Sequence, residues 1–525
     1  MSAHATELII FSLLFTIVSG LGFYAVRWQG RTAQDNLDEW GMGGHRFGFW
    51  VSFFLNSGDI FTAYTFAALP ALMFGIGAMG FFAFAFTIFA YPLVFLPLVR
   101  LWSMSRKHGY MTPAEFVAGS YNSPTLGLVV ALTGIVATMP YLAVQLAGLE
   151  AVLRTMGLNG AGLAGHIPLF VAFLIMAAYT YRSGLRAPAL IAFAKAILIY
   201  LVIIAAVVIL PTKLGGWGAI FNAANAKFKP PDGHGILLGA NNQLEYVTLA
   251  LGGGLAMFMY PHVLTSVFAA RNSQVMKRNL MVLPAYSLVL GMFALLGYAA
   301  IATPTRIKMI TNAATGQPDS NTVIPVLFQG QFPPWFAGIG LAALGVGMLV
   351  PASVMSIAAA NLWTRNIYKT YLRPHATAEQ QTTQSKIASL VVKFGAVAML
   401  VLLDPNYSLG LQLIAGVIIL QTLPPVAIAL YTRWFHPWAL LAGWATGMAW
   451  GIWMLLSIPN LNTNIAALEL GRLSIFGWEP FTSSTVQIYP GFVALIGNLI
   501  VATVATPLLR PHWYLHRLTA RRAAT

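Results

Sequence analysis

The 525-residue sequence contains no cysteine, and charged residues make up only 8% of it. The first absence excludes disulfides, thiol nucleophiles and thiolate metal sites. The second excludes an ordinary soluble enzyme, in which about 25% of residues are charged. Long polar linkers of the kind that separate soluble domains are missing too. Gly252-Gly253-Gly254 has no Lys-Ser/Thr after it, so there is no phosphate-binding loop of the nucleotide-hydrolysing type. No His, Asp and Glu residues share metal-ligand spacing, and no nucleophile–base pattern stands out. Neither an enzyme nor a resident cofactor or metal is expected.

What the sequence does have is apolar length. Apolar residues make up 58% of it, and the mean hydropathy is +0.73. A bilayer crossing needs about 20 mostly apolar residues. Thirteen stretches qualify: 7–26, 47–76, 79–99, 124–153, 166–181, 187–211, 244–268, 279–302, 335–360, 387–404, 409–432, 438–457 and 487–509. They are continuous rather than alternating, which excludes a porin-like barrel. The fold class is an all-α polytopic membrane protein in one transporter domain, 1–525. The leading residues, Met1 to Glu7, hold an acid and no Lys or Arg, unlike the basic start of a secretory signal.

The formal charge of +15 is explained by topology. With the N-terminus outside and the C-terminus inside, 21 of the 29 basic residues fall on the inner side, from Arg27, Arg31 and Arg46 through Lys386 and Lys393 to Arg522. Seven fall outside, among them Arg306 and Arg472, and Lys195 lies within a span. This bias follows the positive-inside rule. It implies the bilayer as partner and no nucleic acid.

Two spans are interrupted. The second is broken around Asn56-Ser57-Gly58-Asp59 and carries Pro70; the seventh is broken at Gly252-Gly253-Gly254 and carries Pro261. They lie five spans apart in opposite orientation, which predicts an inverted-repeat transporter with a midplane site. The repeats are 47–211 and 244–432, with 7–26 and 438–509 as accessory helices. The glycines are expected to unwind the seventh span and free main-chain N–H groups for an anion.

Charges at membrane depth default to functional hypotheses. Asp59 and Lys195 are the two that stand out. They form either a proton-carrying pair or a static ion pair between helices. Glu150 and Glu245 fall near outer ends and read as solvated rim residues. Tyr64, Phe66, Tyr141, Phe258 and Tyr260 are candidates to line a cavity, and His262 is a weaker candidate relay.

Four ordered blocks complete the reading: Leu37-Asp38-Glu39-Trp40-Gly41-Met42-Gly43-Gly44-His45-Arg46; Tyr179 to Ala187; Tyr260-Pro261-His262 with Ala269-Ala270-Arg271; and Asn361 to Lys369. Through them the chain resembles the sodium/solute symporter family over nearly its whole length. The resemblance implies a LeuT-type five-plus-five inverted repeat with an extra first helix. Gly58-Asp59-Ile60-Phe61-Thr62-Ala63-Tyr64-Thr65-Phe66 and Leu69-Pro70-Ala71-Leu72 resemble the monocarboxylate permease branch. That implies a small organic anion such as acetate, propionate, pyruvate or lactate as substrate, and a bacterial inner membrane.

The departures from the family concern its cation. In sodium-coupled relatives the ion sits between the break in span 2 and two hydroxyls of span 9. Aligned on Asn366-Ile367-Tyr368-Lys369, those positions hold Val350 and Pro351, with Ser353 and Ser356 one or two turns away. The family's Thr-Asp pair and later Gln of span 6 become Ile191-Ala192 and Lys195. The candidate proton site is therefore Lys195 with Asp59. The vacated or rebuilt cation site comprises Ser57, Ile60, Val350, Pro351, Ser353 and Ser356. The candidate substrate residues are Tyr64, Gln145, Gly252, Gly253, Gly254 and Phe258. The coupling ion is expected to be a proton, with sodium as the alternative. A sodium-coupled carrier of another solute, such as an amino acid, is the nearest rival function. A membrane ligand sensor is the rival of another class, but the tail of about 16 residues after the last span is too short for a signalling domain.

Overall fold

The computed structural model describes residues 3–28, 36–158, 165–229, 236–303, 307–311, 318–402, 408–457, 468–469 and 486–522. Arg31, Arg306 and Arg472 of the charge count lie outside the described residues, as does the end of the stretch 387–404. Each predicted stretch is mainly helical in its described part, apart from breaks inside 47–76, 244–268 and 409–432 and the strand residues that open 487–509.

In chain order the helices are α1 (Ala3–Trp28), α2 (Leu37–Met42), α3 (Phe49–Ile60), α4 (Leu69–Ile76), α5 (Phe82–His108), α6 (Pro113–Tyr121) and α7 (Pro124–Thr155). Next come α8 (Ile167–Ser183), α9 (Arg186–Lys213), α10 (Trp217–Lys227), α11 (Ala240–Met257), α12 (Pro261–Phe268), α13 (Ser273–Tyr286) and α14 (Leu288–Ile301). The remainder are α15 (Val323–Gln331), α16 (Pro334–Trp363), α17 (Ala378–Leu402), α18 (Ser408–Leu420), α19 (Leu423–Ala429), α20 (Pro437–Leu456) and α21 (Pro490–Arg522). Leu468–Glu469 and Gln487–Ile488 pair as a short antiparallel ribbon.

Among the described residues nine helices are long and apolar enough to cross a membrane, or eleven when each of two bent pairs counts as one span. The difference from thirteen has two sources. At 17 residues, α8 is shorter than a full crossing. The 45 residues from Tyr64 to His108 are nearly continuous helix, although at 1.5 Å per residue they exceed one bilayer.

Local chemistry sets the ends. Thr112 and Glu115 form a capping box on α6. Glu115 also accepts from Arg365 Nε at 2.7 Å, tying α6 to the segment after α16. The middle of α16 is buried throughout, and the helix packs against α1, α7, α9 and α17.

Two breaks position the candidate site. Helix α3 ends at Ile60; residues 61–63 turn, and a π-helical turn over Tyr64–Ala68 leads into α4. Pro70, at the start of α4, lacks the N–H that would continue the ladder. The second break is placed differently from expectation. Gly252, Gly253 and Gly254 lie inside regular α11, and the chain bends by 49° only at Phe258–Tyr260. Pro261 dictates this, because it holds Tyr260 extended and begins α12. The glycines serve close packing instead. A Cβ on Gly252 would lie 2.8 Å from the Tyr489 ring, and one on Gly254 would lie 3.0 Å from Ala90.

Candidate functional site

The α3 break leaves backbone groups needing partners. Ala63 N–H donates to Gln145 Oε1 at 2.8 Å, and Gln145 Nε2 donates to Tyr141 O at 3.3 Å. Gln145 therefore braces the break and is not among the residues lining the cavities described below. The carbonyls of Gly58 and Phe61 are taken by Lys195. Its Nζ donates to Gly58 O at 2.6 Å and also to Phe61 O. Lys195 is 1% exposed, and its Nζ lies 5.7 Å from the Phe66 ring centroid.

Ala192 and Val350 flank the same place: a Cβ on Gly58 would lie 3.3 Å from one and 3.4 Å from the other. Neither side chain offers oxygen, nor does buried Pro351. Ser353 Oγ donates to Leu349 O at 2.8 Å and accepts from Thr180 Oγ1 at 3.3 Å. Ser356 Oγ donates to Ser353 O at 2.8 Å and accepts from Ser389 Oγ at 3.2 Å. Both hydroxyls are engaged toward α8 and α17. Ser57 Oγ donates to Phe54 O at 3.2 Å within α3. The ammonium thus satisfies two carbonyls of the break beside neighbours that offer no side-chain oxygen.

Asp59 is not part of that contact. Its Oδ2 accepts from Ser266 Oγ of α12 at 3.2 Å, and Oδ1 has no hydrogen-bond partner. Among the described residues the ion pairs within 4.0 Å do not include Asp59 with Lys195. The sequence leaves open whether the two side chains touch; they are not joined as an ion pair, because α3 lies between α9 and α12 and Lys195 grips its main chain.

Two cavities meet at Asp59. The larger is lined by Asp59, Tyr64, Thr87, His262, Gln412 and Tyr489, with Phe82, Phe86 and Gly253 among its apolar walls. It gathers buried polar atoms that have no partner: Asp59 Oδ1, Tyr64 OH, His262 Nδ1 and Gln412 Oε1. The His262 ring sits 5.4 Å from Tyr141 and 5.3 Å from Tyr260. The smaller cavity is lined by Asn56, Tyr91, Phe258 and Asn279, and it shares Asp59, Ile60, Met257 and Val263 with the first. Of the expected substrate residues, Tyr64 and Gly253 reach the larger cavity, Phe258 reaches the smaller, and Gly252 and Gly254 reach neither. Thr87, Gln412, Tyr489, Tyr91 and Asn279 escaped the sequence reading, although the first four are polar residues within apolar runs and Asn279 stands at the edge of one.

Other charges sit differently from expectation. Lys393 is not an inner-surface base: it is 0% exposed in α17, where Nζ donates to Ser389 Oγ at 2.8 Å. Glu150 and Glu245 are both 3% exposed rather than solvated. Glu150 pairs with Arg154 at 2.6 Å and His166 at 2.8 Å.

At the end of the bundle bearing Arg186 and Arg271, residues 37–47 form a strap. Arg186 Nη2 donates to Glu39 Oε1, and its guanidinium lies 4.9 Å from the Trp28 ring. Leu185 N donates to Trp40 O at 2.8 Å, and Arg271 N donates to Phe47 O at 2.9 Å. His45 Nδ1 meets Phe268 O at 2.9 Å. Burial holds the His45 pKa below the usual histidine value, against the opposing effect of that hydrogen bond.

A family model for the sodium:solute symporter family matches residues 41–446. The "monocarboxylate transport permease protein" of Rhizobium johnstonii is 44% identical over 506 residues, covering 96% of this chain and 97% of that one. An uncharacterized symporter of Bacillus subtilis is 27% identical over 97% of this chain and 94% of its own. The sodium/proline symporter of Escherichia coli is 25% identical over 60% of this chain and 57% of its own. Among solved structures, a sodium-coupled sialic acid symporter in a substrate-bound, outward-open state superposes with a TM-score of 0.72 at 15% identity. It covers 96% of this chain and 98% of that one, a likeness of fold.

Proposed function

The chain belongs to the sodium:solute symporter family, and from that premise we propose that it is a proton-coupled importer of short monocarboxylates such as acetate, propionate, pyruvate and lactate. It is a multi-pass membrane transporter and not an enzyme. The observation that carries the coupling ion is the Lys195 ammonium on the carbonyls of Gly58 and Phe61, beside the oxygen-free Val350 and Pro351. What supports the substrate class is the 44% identity to a protein named for monocarboxylate transport.

In this reading thirteen crossings, N-terminus outside, build a LeuT-type five-plus-five repeat over 47–211 and 244–432 in a bacterial inner membrane. The substrate occupies the larger cavity. Tyr64 OH and His262 Nδ1 are the donors that meet its carboxylate, and Phe82 and Phe86 meet its short tail. Protonated Lys195 holds the α3 break in its bent form. Loss of that proton removes the charge-assisted bonds to the carbonyls and frees the break to rearrange. Asp59, between the cavities, is the second proton-carrying group. Rocking of one helix group against another then alternates access.

Uptake of labelled acetate, pyruvate and proline into proteoliposomes tests this, each driven separately by a pH or a sodium gradient, with leak subtracted from empty vesicles. The expected result is monocarboxylate uptake driven by protons, indifferent to sodium and lost in Lys195→Ala. Uptake that requires sodium would overturn the coupling. Sodium-driven proline uptake would favour the rival amino-acid carrier, for which the likeness to the sodium/proline symporter speaks.

A further inference from the structure

The smaller cavity has no part in holding substrate, yet its polar lining is built and unused. Asn279 of α13 is 2% exposed, and neither Nδ2 nor Oδ1 has a partner. Tyr91 OH of α5 and Asp59 Oδ1 of α3 are likewise buried and unpartnered. These four atoms border one cavity whose other walls, such as Phe258, Leu280 and Leu283, are apolar. Leaving such atoms unsatisfied is costly. The free space suits about one or two water molecules, and a buried water needs 2–4 polar partners. The cavity runs from Asp59 to Ala270 and Met276, beside the Arg271 turn. The larger cavity lies against Asp59 as well.

We infer that Asn279 and Tyr91 hold water that conducts protons between Asp59 and the Arg271 end of the bundle, so that Asp59 discharges by a route separate from the substrate cavity. In the step, the Asp59 Oδ1–H bond breaks, an O–H bond forms on the held water, and that water passes a proton to the solvent at the Arg271 end. Asn279 and Tyr91 position the water and do not ionise. The ionisable groups around Asp59 are Lys195 across α3 from α9, Tyr91 of α5, Tyr141 of α7, His262 of α12 and Tyr286 of α13 next to Tyr91. Asn279 and Tyr91 are positioning residues for proton traffic and touch no substrate. The inference rests on the proton-coupled reading above.

The test compares two assays on the purified full-length protein in proteoliposomes: net uptake of a monocarboxylate under a pH gradient, and exchange of labelled for unlabelled monocarboxylate at symmetrical pH. Exchange needs no proton release; net uptake does. In Asn279→Leu, which fills the cavity with methyl groups, net uptake is expected to fall at least tenfold (~) while exchange stays within about twofold of the parent. Tyr91→Phe, which removes one oxygen and almost no volume, is expected to show the same split in weaker form. Equal losses in both assays for both variants, or no loss in either, overturn the inference. If the parent itself follows sodium rather than pH, the coupling reading has failed; if the parent is proton-driven and the variants behave like it, only this inference has.

Discussion

Glu39→Gln tests whether the strap latches one side of the transporter. Glu39 and Arg186 side chains are 10% and 6% exposed, so the pair is nearly dry. The substitution leaves the Arg186 charge facing a neutral amide, with Gly43 O at 3.4 Å and the Trp28 ring as its remaining partners. Breaking a buried pair from one side costs about 3–5 kcal/mol. The amide still accepts a bond and some solvent reaches the pair, so about 2–3 kcal/mol is the appropriate figure here. All of it weighs on the strapped state, which shifts the balance toward the unstrapped state by about 30- to 140-fold at 1.4 kcal/mol per decade. The missing cysteines make the shift measurable. In Ala270→Cys the introduced thiol is unique, and Ala270 is 1% exposed while the strap is closed. Its maleimide labelling rate reports the open fraction. Adding Glu39→Gln should speed labelling by at least about thirtyfold, and Glu39→Gln with Arg186→Met should slow it again, because both buried polar partners are then gone. Labelling within threefold (~) of the parent in Glu39→Gln would refute the latch.

Three further outcomes follow from the same geometry. Gln145→Leu strands the Ala63 N–H, at about 1–3 kcal/mol, and initial uptake rates should fall about tenfold or more; unchanged rates would remove Gln145 as the brace of the break. Gly184 has φ of 54°, and a Cβ there would lie 2.1 Å from Trp40 O, so Gly184→Ala should lower the thermal midpoint in detergent by several degrees (~), whereas Gly48→Ala, in open space, should not. His45 binds a proton less readily folded than unfolded. Its contribution to stability is therefore present above about pH 6.5 and is lost as pH falls through the lower folded value. The thermal midpoint of the parent should drop between pH 7 and pH 5, and His45→Gln should flatten that drop; parallel slopes would remove His45 as the cause.

Apolar run length made the helices legible, since hydropathy needs no partner information. The first break was readable because Asn56-Ser57-Gly58-Asp59 is polar where the chain must be apolar. The second was misplaced by several residues, because three glycines look like a weak point until their neighbours Tyr489, Phe86 and Ala90 are seen filling the space. Pro261 was the better marker. Counting put Lys195 at membrane depth, and the family resemblance put it beside the break. That it grips main chain and leaves Asp59 to Ser266 depends on which sides α9 and α12 take around α3, and no one-dimensional pattern contains that. Lys393 was legible in principle: Ser385, Ser389 and Lys393 recur every four residues and mark one polar face of α17 against α16.

A dissolved ion must be recruited anew in every cycle, and its occupancy follows its concentration in the medium. Lys195 is covalently tied to α9, so its local concentration at the Gly58 and Phe61 carbonyls is fixed by the length of its own stem, far above that of any salt outside. The translational entropy of placing a cation there was settled once, when the chain folded. Under the proposed coupling only a proton is left to be exchanged, and its arrival does not require a hydrated ion to shed its water shell. In that proposed scheme the carrier keeps its cation in sodium-poor surroundings, and its sensitivity to the environment narrows to acidity alone.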